Sequence, residues 1–473
     1  MSLNAKKYSK VSFYYLIGNV FNKGMSFLTV PIFTRLLTTH DYGFFSTYNS
    51  YVSIVAMILG FVLHMAIRAA FIDYREKIDD FVSTICFFTI VITINISTII
   101  VIGYKLIDVN VSFAIIILCL LQGFSNAIIE DYSMYLMMKF KYKFRTLLMV
   151  LPNLLSVGLS VLVIFLLVNS DAKYDLYWGR IIPTAICYIV FCVIILFVVF
   201  KKSKVLLKKE YVIYGLKISA PLILHGLSLN ILSQSDRIMI TMFDSTSNTG
   251  IYSLVYNFSM LATVLTTSLD GVWIPWFTEK FQKRKFDDIN KVAVNYVSLM
   301  TFAMIILLLV SPEILKLFAT KSYWEGIAII PPLVLSNYII FVYSLYVNIE
   351  HYHKKTVFIT SCTLVAAISN IALNLIFIPI YGYMTAAFTT LFSYIVSCVL
   401  HMRYSKKLEK SLFPVRIFIP AILTLLVAVF IFYFFMELPI VRWALMIVLI
   451  IFIIIREYDR LLELVRMMFK KNA

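Results

Sequence analysis

Seven ionisable side chains fall inside long apolar runs of this 473-residue chain: Lys23, Arg180 and Arg237, against Glu130, Asp131, Asp236 and Asp270. A charge in the hydrocarbon of a membrane costs at least ~2.5 kcal/mol, so such residues ordinarily face a wet cavity or a partner. Their polar neighbours recur at helical spacing. Tyr15, Asn19, Asn22, Lys23 and Ser26 share one face, as do Asn230, Ser233, Gln234 and Arg237, with His225 and Asp236 on an adjacent face. Tyr252, Tyr256, Ser259, Thr263, Thr266 and Asp270 make a third stripe. Tyr252 and Asp270 are separated by a whole number of turns and so share an azimuth. Hydroxyl, amide and charged groups on facing stripes can bind and move a polar solute. The chain holds no P-loop, no HExxH and no Cys/His ligand spacing, so neither direct ATP use nor a structural metal is expected. Cys86, Cys119, Cys187, Cys192, Cys362 and Cys398 lie within apolar runs and read as small packing residues.

The elements that position these groups must cross a bilayer. Hydrophobic residues make up 61% of the chain and charged ones 14%, where a soluble domain would carry about a quarter charged. Runs such as 90–102, 186–200 and 447–455 do not alternate, which excludes a barrel. At about 20 residues per crossing, spans are expected near 11–34, 42–66, 79–104, 110–138, 146–168, 176–200, 213–242, 249–275, 290–311, 325–349, 356–378, 383–402, 414–435 and 440–456. The N-terminal run lacks a cleavage site and reads as an uncleaved first helix. The expected fold is an all-α polytopic membrane protein of about 14 transmembrane helices, two pseudo-symmetric six-helix bundles plus two extra C-terminal helices. The domains are then 1–200, a basic linker at 201–211, a second bundle at 212–402, and 403–473 with two further helices and a basic tail. His351 and His353, beside Lys354 and Lys355, read as a solvated loop, and His64 carries little information.

The net charge of +17 could suggest nucleic acid, but its distribution argues for topology instead. With an even number of crossings, 33 of the 42 Lys and Arg residues fall on the side of the termini. Arg35, Lys105, Lys173, Lys316, Lys321 and Arg442 fall on the other. That asymmetry places both termini in the cytoplasm, with the surplus facing anionic lipid. The two halves also echo at an offset of 207, where Gly43-Phe44-Phe45-Ser46 matches Gly250-Ile251-Tyr252-Ser253. Paired bundles of this kind are typical of transporters that rock about a central site. The loops on the far side are short, unlike those of an enzyme that builds a glycan there.

Several segments together resemble one family. Asn370-Ile-Ala-Leu-Asn374 leads into Ile378-Pro379-Ile-Tyr-Gly382 and then Thr385-Ala386-Ala387. Ser235-Asp236-Arg237 precedes Gly250-Ile251-Tyr252-Ser253, and near the start Pro31 and Leu36-Leu37 precede Asp41-Tyr42-Gly43. The pattern is similar to that of the polysaccharide-biosynthesis exporters, the Wzx-like flippases of the multidrug/oligosaccharidyl-lipid/polysaccharide (MOP) exporter superfamily. Thr385 departs from it, since the family usually has glycine there. The resemblance implies a flippase, not an enzyme, that moves an undecaprenyl-pyrophosphate-linked oligosaccharide across the bacterial inner membrane by alternating access. O-antigen, capsule or exopolysaccharide synthesis would be the purpose, and a polysaccharide polymerase and a chain-length regulator would be its protein partners.

On that reading Lys23, Arg237, Asn19, Arg180, Tyr256 and Asp270 are the candidate substrate-binding residues. Lys23 and Arg237 would face the pyrophosphate from opposed bundles. No cofactor is expected beyond Na+ or H+ coupling, for which Asp236, Asn370, Asn374 and Thr390 are the candidate ligands; the competing account has Asp236 neutralising Arg237. Rival readings are a lipid II flippase, a drug/cation antiporter of the same superfamily, and a membrane-embedded glycan polymerase or acyltransferase.

Overall fold

The computed structural model describes Met25 and residues 27–106, 112–169 and 175–456, and among these every regular element is helical. Among the described residues, ten helices are long and apolar enough to cross a membrane, and two shorter apolar ones follow near the C-terminal end. With the broken pair Thr246–Ser259 and Leu261–Gln282, they supply the expected spans from the second to the last. The chain is an all-α polytopic membrane protein with about fourteen helices, as anticipated. Lys23 and Asn19 lie outside the described residues, as does most of the expected first span.

Contacts divide the chain into two compact units, 1–250 and 251–473. The first holds α1 (Val30–Leu36), α2 (Thr39–Gly60), α3 (Leu63–Asp73), α4 (Ile78–Leu106), α5 (Phe113–Met138), α6 (Tyr142–Val168), α7 (Trp178–Lys202) and α8 (Lys209–Phe243). Here α2 packs on α5 and α8, α5 on α3 and α7, and α6 on α7. The division therefore falls at Gly250 rather than at the basic linker 201–211. Side-chain hydrogen bonds along α8 explain why that helix stays with the first unit. Ser219 donates to Val62 O (3.2 Å), Asn230 to Ser53 Oγ (2.9 Å), and Thr241 bonds Thr47 at 2.6 Å.

The Asp41-Tyr42-Gly43 motif builds the start of α2. Thr38 Oγ1 accepts from the Asp41 amide (3.1 Å), while Asp41 Oδ2 accepts from the Thr38 hydroxyl at 2.6 Å and faces its amide, a reciprocal cap. The other carboxylate oxygen, Oδ1, accepts from the Tyr177 amide (3.1 Å), which fixes the approach to α7. Two residues on, Gly43 meets the first turn of α9 (Thr246–Ser259). A Cβ on Gly43 would stand 1.8 Å from Thr246 O, and one on Gly250 would stand 2.1 Å from Thr39 O. The two positions matched by the 207-residue echo thus press backbone on backbone. Thr249 closes the same seam through Thr241 (2.7 Å).

Two departures from regular helix matter below. The expected 42–66 span is longer and kinked, because Phe61 and Val62 both adopt positive φ (48° and 55°) between α2 and α3. A β-branched residue there is strained, and the Val62 carbonyl is held by Ser219 of α8. The expected 249–275 span breaks at Met260, between α9 and α10 (Leu261–Gln282). The continuous azimuth drawn from Tyr252 to Asp270 is interrupted there.

The second unit continues with α11 (Phe286–Phe318), α12 (Ile330–Tyr352), α13 (Thr356–Tyr381), α14 (Met384–Leu408), α15 (Ile419–Phe434) and α16 (Pro439–Arg456). α12 and α13 pack on α14, and α11 on α10 and α15. The last two helices are thus part of this unit and not a separate domain. Arg442 fastens them: it is fully buried, donates to Leu309 O (2.9 Å) and Met436 O (2.7 Å), and pairs with Glu313, to which Trp443 also donates (3.2 Å). Gly382 ends α13 at φ 78°, as the Pro379-to-Gly382 turn requires. Thr385, the departure from the family's glycine, donates to the Gly382 carbonyl (2.7 Å) and closes that turn.

Replacing Gly43 or Gly250 by Ala drives a methyl into backbone, which cannot swing aside as a side chain would. Each substitution should destabilise the protein by about 1–3 kcal/mol or more, seen as a lower unfolding temperature in detergent, whereas Gly158→Ala, with open space around it, should be neutral.

Candidate functional site

A cavity of about 510 Å3 opens inside the first unit, walled by α1, α2, α5, α6, α7 and α8. Its polar lining comes from residues four apart on single helix faces. On α5 these are Gln122, Asn126 and Glu130; on α7, Arg180, Thr184 and Tyr188; on α2, Asn49 and Ser53. α6 adds Asn153, Ser156 and Ser160, and α8 adds Asn230. From Gln122 to Glu130 the wall runs about 12 Å along α5 at 1.5 Å per residue.

The two ends differ. Arg180 lies in the first turn of α7, its guanidinium carbon 3.3 Å from the Phe33 ring centre and 4.2 Å from that of Phe45. Two aromatic faces hold a desolvated guanidinium favourably, by up to about 2 kcal/mol, and orient it toward the cavity. At the other end Glu130 is open, with His64 Nδ1 at 3.7 Å. Its neighbour Asp131 points away from the cavity and is buried. Between the ends the lining is neutral. Tyr48 donates to Gln122 Oε1 (2.7 Å), which orients that amide, while the carbonyl oxygens of Asn126 and Asn230 accept nothing from the protein. Such a wall offers donors and acceptors to hydroxyl-rich groups, with one cation for an anion.

Of the expected substrate ligands, Arg180 lines this cavity and Arg237 does not. Arg237 is buried and folded along its own helix, donating to Ser233 O (2.9 Å) and Gln234 Oε1 (3.1 Å), and Gln234 also accepts from Ser50 of α2 (3.0 Å). Tyr256, its ring tilted against that of Tyr252 with centres 5.9 Å apart, and Asp270, beside Tyr296, belong to the second unit. The candidate coupling residues divide likewise. In the second unit Asn370 donates to Thr390 (3.1 Å), Asn374 faces Asn370 Oδ1 at 3.3 Å, and Thr389 donates to Asn374. Asp236 is fully buried on α8 of the first unit.

Sequence reasoning overlooked the α5 stripe, although Gln122-x3-Asn126-x3-Glu130 was there to be counted in an apolar helix. It also passed over a buried pair near the end of α12. Glu350 Oε2 lies 2.8 Å from His401 Nδ1, Ser405 donates to Glu350 Oε1 (3.0 Å), and both members of the pair are at most 1% exposed. α12 runs to Tyr352, so the polar stretch read as loop begins on a packed helix; His351 itself is exposed.

The fold is a polytopic helical one of the kind seen in solved transporters of the MOP superfamily. The structure resembles the lipid II flippase MurJ in its inward closed conformation, with a TM-score of 0.64 at 17% identity over 95% of this chain and 99% of that one. It also resembles an outward-facing MATE family multidrug transporter of the MOP superfamily, with a TM-score of 0.55 at 14% identity, over 85% and 95% of the two chains. Residues 9–281 match the family model described as polysaccharide biosynthesis protein, and the chain belongs to that family. A Haemophilus influenzae relative, the Lsg locus putative protein 1, is 24% identical over 386 residues, 77% of this chain and 90% of that one.

The cavity should be wet and biased toward anions. A cysteine at Asn49, one turn from Phe45, should react with a membrane-impermeant anionic thiol reagent faster than with a cationic one. Arg180→Gln should cut that preference by about tenfold, roughly 1.4 kcal/mol, as expected for one charge at close range. A cysteine at buried Ser219 should stay unlabelled. No reaction at position 49 would mean a closed, dry space.

Proposed function

We propose that this protein is a flippase for undecaprenyl-pyrophosphate-linked oligosaccharide repeat units, working by alternating access in O-antigen, capsule or exopolysaccharide synthesis. The observation that carries the reading is the graded cavity, with an aromatic-held guanidinium at one end, neutral amides and hydroxyls along the middle, and the Glu130 carboxylate at the far end. Sugar hydroxyls and a pyrophosphate enter hydrocarbon only at great cost. A wall of amides and hydroxyls substitutes for their water, and a guanidinium suits phosphate geometry, while the prenyl tail stays in lipid. Family membership and the transporter fold support translocation over bond-making chemistry. A polymerase and a chain-length regulator are the protein partners this role calls for.

The protein reconstituted in vesicles should move a fluorescent undecaprenyl-pyrophosphate oligosaccharide between leaflets. Arg180→Ala should slow it at least tenfold, and Arg180→Lys less. Equal transport of lipid II, or efflux of cationic drugs in its place, would overturn the substrate assignment. For the return of the empty carrier we extend the proposal to a Na+ or H+ gradient sensed by Asp236, the buried carboxylate of the first unit. Asp236→Asn keeps shape and should abolish dependence on the gradient; dependence equal to that of wild type would place coupling elsewhere.

The same reading sets the protein in the cytoplasmic membrane with both termini inside, supported by the basic loops. In a background lacking the native cysteines, Lys204→Cys should label only from the cytoplasm and Ser247→Cys only from outside. Labelling of both from one side would break the assignment.

A further inference from the structure

A second cavity, of about 740 Å3, lies wholly within the second unit and takes no part in the site above. It is bounded by the first turns of α11, the 414–421 segment that leads into α15, and Ile453 of α16. Lys291 and Arg416 stand exposed at its mouth, with Asp287 one turn before Lys291. Neither cation is in an ion pair among the described residues, whereas Lys280 and Lys283 nearby each bridge a carboxylate. The slot then follows α11 inward past Asn295 and Ser298 to Thr301, about 15 Å from Lys291 at 1.5 Å per residue. Its opposite wall is apolar: Ile417, Pro420, Ala421 and Ile453.

The combination is selective. A soluble anion would use the mouth but gain nothing from a long apolar wall. A purely apolar occupant would leave Lys291 and Arg416 unused and offer nothing to the polar side chains of Asn295 and Ser298. A molecule with an anionic head, polar ester groups and a hydrocarbon chain answers all three surfaces in order. Pockets between helices that carry basic residues at a membrane surface attract anionic headgroups, and each such residue adds materially to the attraction.

We propose that this slot binds one anionic phospholipid from the leaflet on the basic-loop side of the membrane. Its phosphodiester lies between Lys291 and Arg416, its ester oxygens face Asn295 and Ser298, and one acyl chain lies along Ile417, Pro420, Ala421 and Ile453. The lipid fills the space between α11 and the two terminal helices.

The test uses the full-length protein in phosphatidylcholine nanodiscs, titrated with phosphatidylglycerol and read by native mass spectrometry and thermal unfolding. One phosphatidylglycerol should be retained per protein and raise the unfolding temperature. Lys291→Gln with Arg416→Gln should weaken its apparent affinity about thirtyfold, the effect of two basic residues near a membrane surface. Lys354→Gln with Lys355→Gln, an equal loss of exposed charge elsewhere, should leave it unchanged. Ala421→Phe, which fills the apolar wall, should weaken retention with both cations in place. An unchanged unfolding temperature of each variant in phosphatidylcholine alone shows that it folds. Equal retention of phosphatidylcholine, full competition by glycerol 3-phosphate, preferential uptake of undecaprenyl phosphate, or undiminished binding by the double variant would each overturn the proposal.

Discussion

Inside hydrocarbon a polar group has only two tolerable situations, a partner within the protein or water in a cavity. The whole molecule sorts along that line. Asn370, Asn374, Thr389 and Thr390 satisfy one another across α13 and α14, and Glu350, His401 and Ser405 do so between α12 and α14. Arg237 is answered along its own helix. The carbonyl oxygens of Asn126 and Asn230, which lack such closure, line the first-unit cavity.

That cavity is built from ordinary helical bookkeeping applied to unusual residues. Spacing of four aligns Gln122, Asn126 and Glu130 down α5 and Arg180, Thr184 and Tyr188 down α7. Phe33 and Phe45 hold the guanidinium between their rings at the cavity wall. The Phe61–Val62 kink bends the end of the wall that α2 supplies, and Ser219 answers the carbonyl that the kink frees.

Much of this was legible in the sequence. Composition and run length decide the fold class, and the basic asymmetry agrees with the span count, because hydrophobic matching acts on each segment independently. Asn370, Asn374 and Thr390 came together as their spacing suggested, and Gly43 and Gly250 proved to be partners as well as repeats. What escaped depends on neighbours that no local window contains. The kink at Phe61–Val62 has no Gly or Pro to announce it. Glu350 looks solvated beside His351 and Lys354 until α14 is placed against it. Arg237, on a polar stripe, looked like a cavity cation but found acceptors one turn back. The division at Gly250 escaped for the same reason: charge marks where a loop meets water, whereas packing decides which bundle a helix joins.

The clasp around Arg442 bears on how the chain is made. Glu313 and the guanidinium that answers it are separated by 129 residues, so a ribosome delivers the carboxylate long before its counter-ion. Through that interval the Glu313 carboxylate near the end of α11 is an open acceptor inside a half-built bundle. The second unit can close its core only when α16 emerges, which makes the last helix the keystone of assembly. A message cut shortly before codon 442 would yield a polypeptide with nearly every span inserted and its folding unfinished, the kind of product membrane proteases remove.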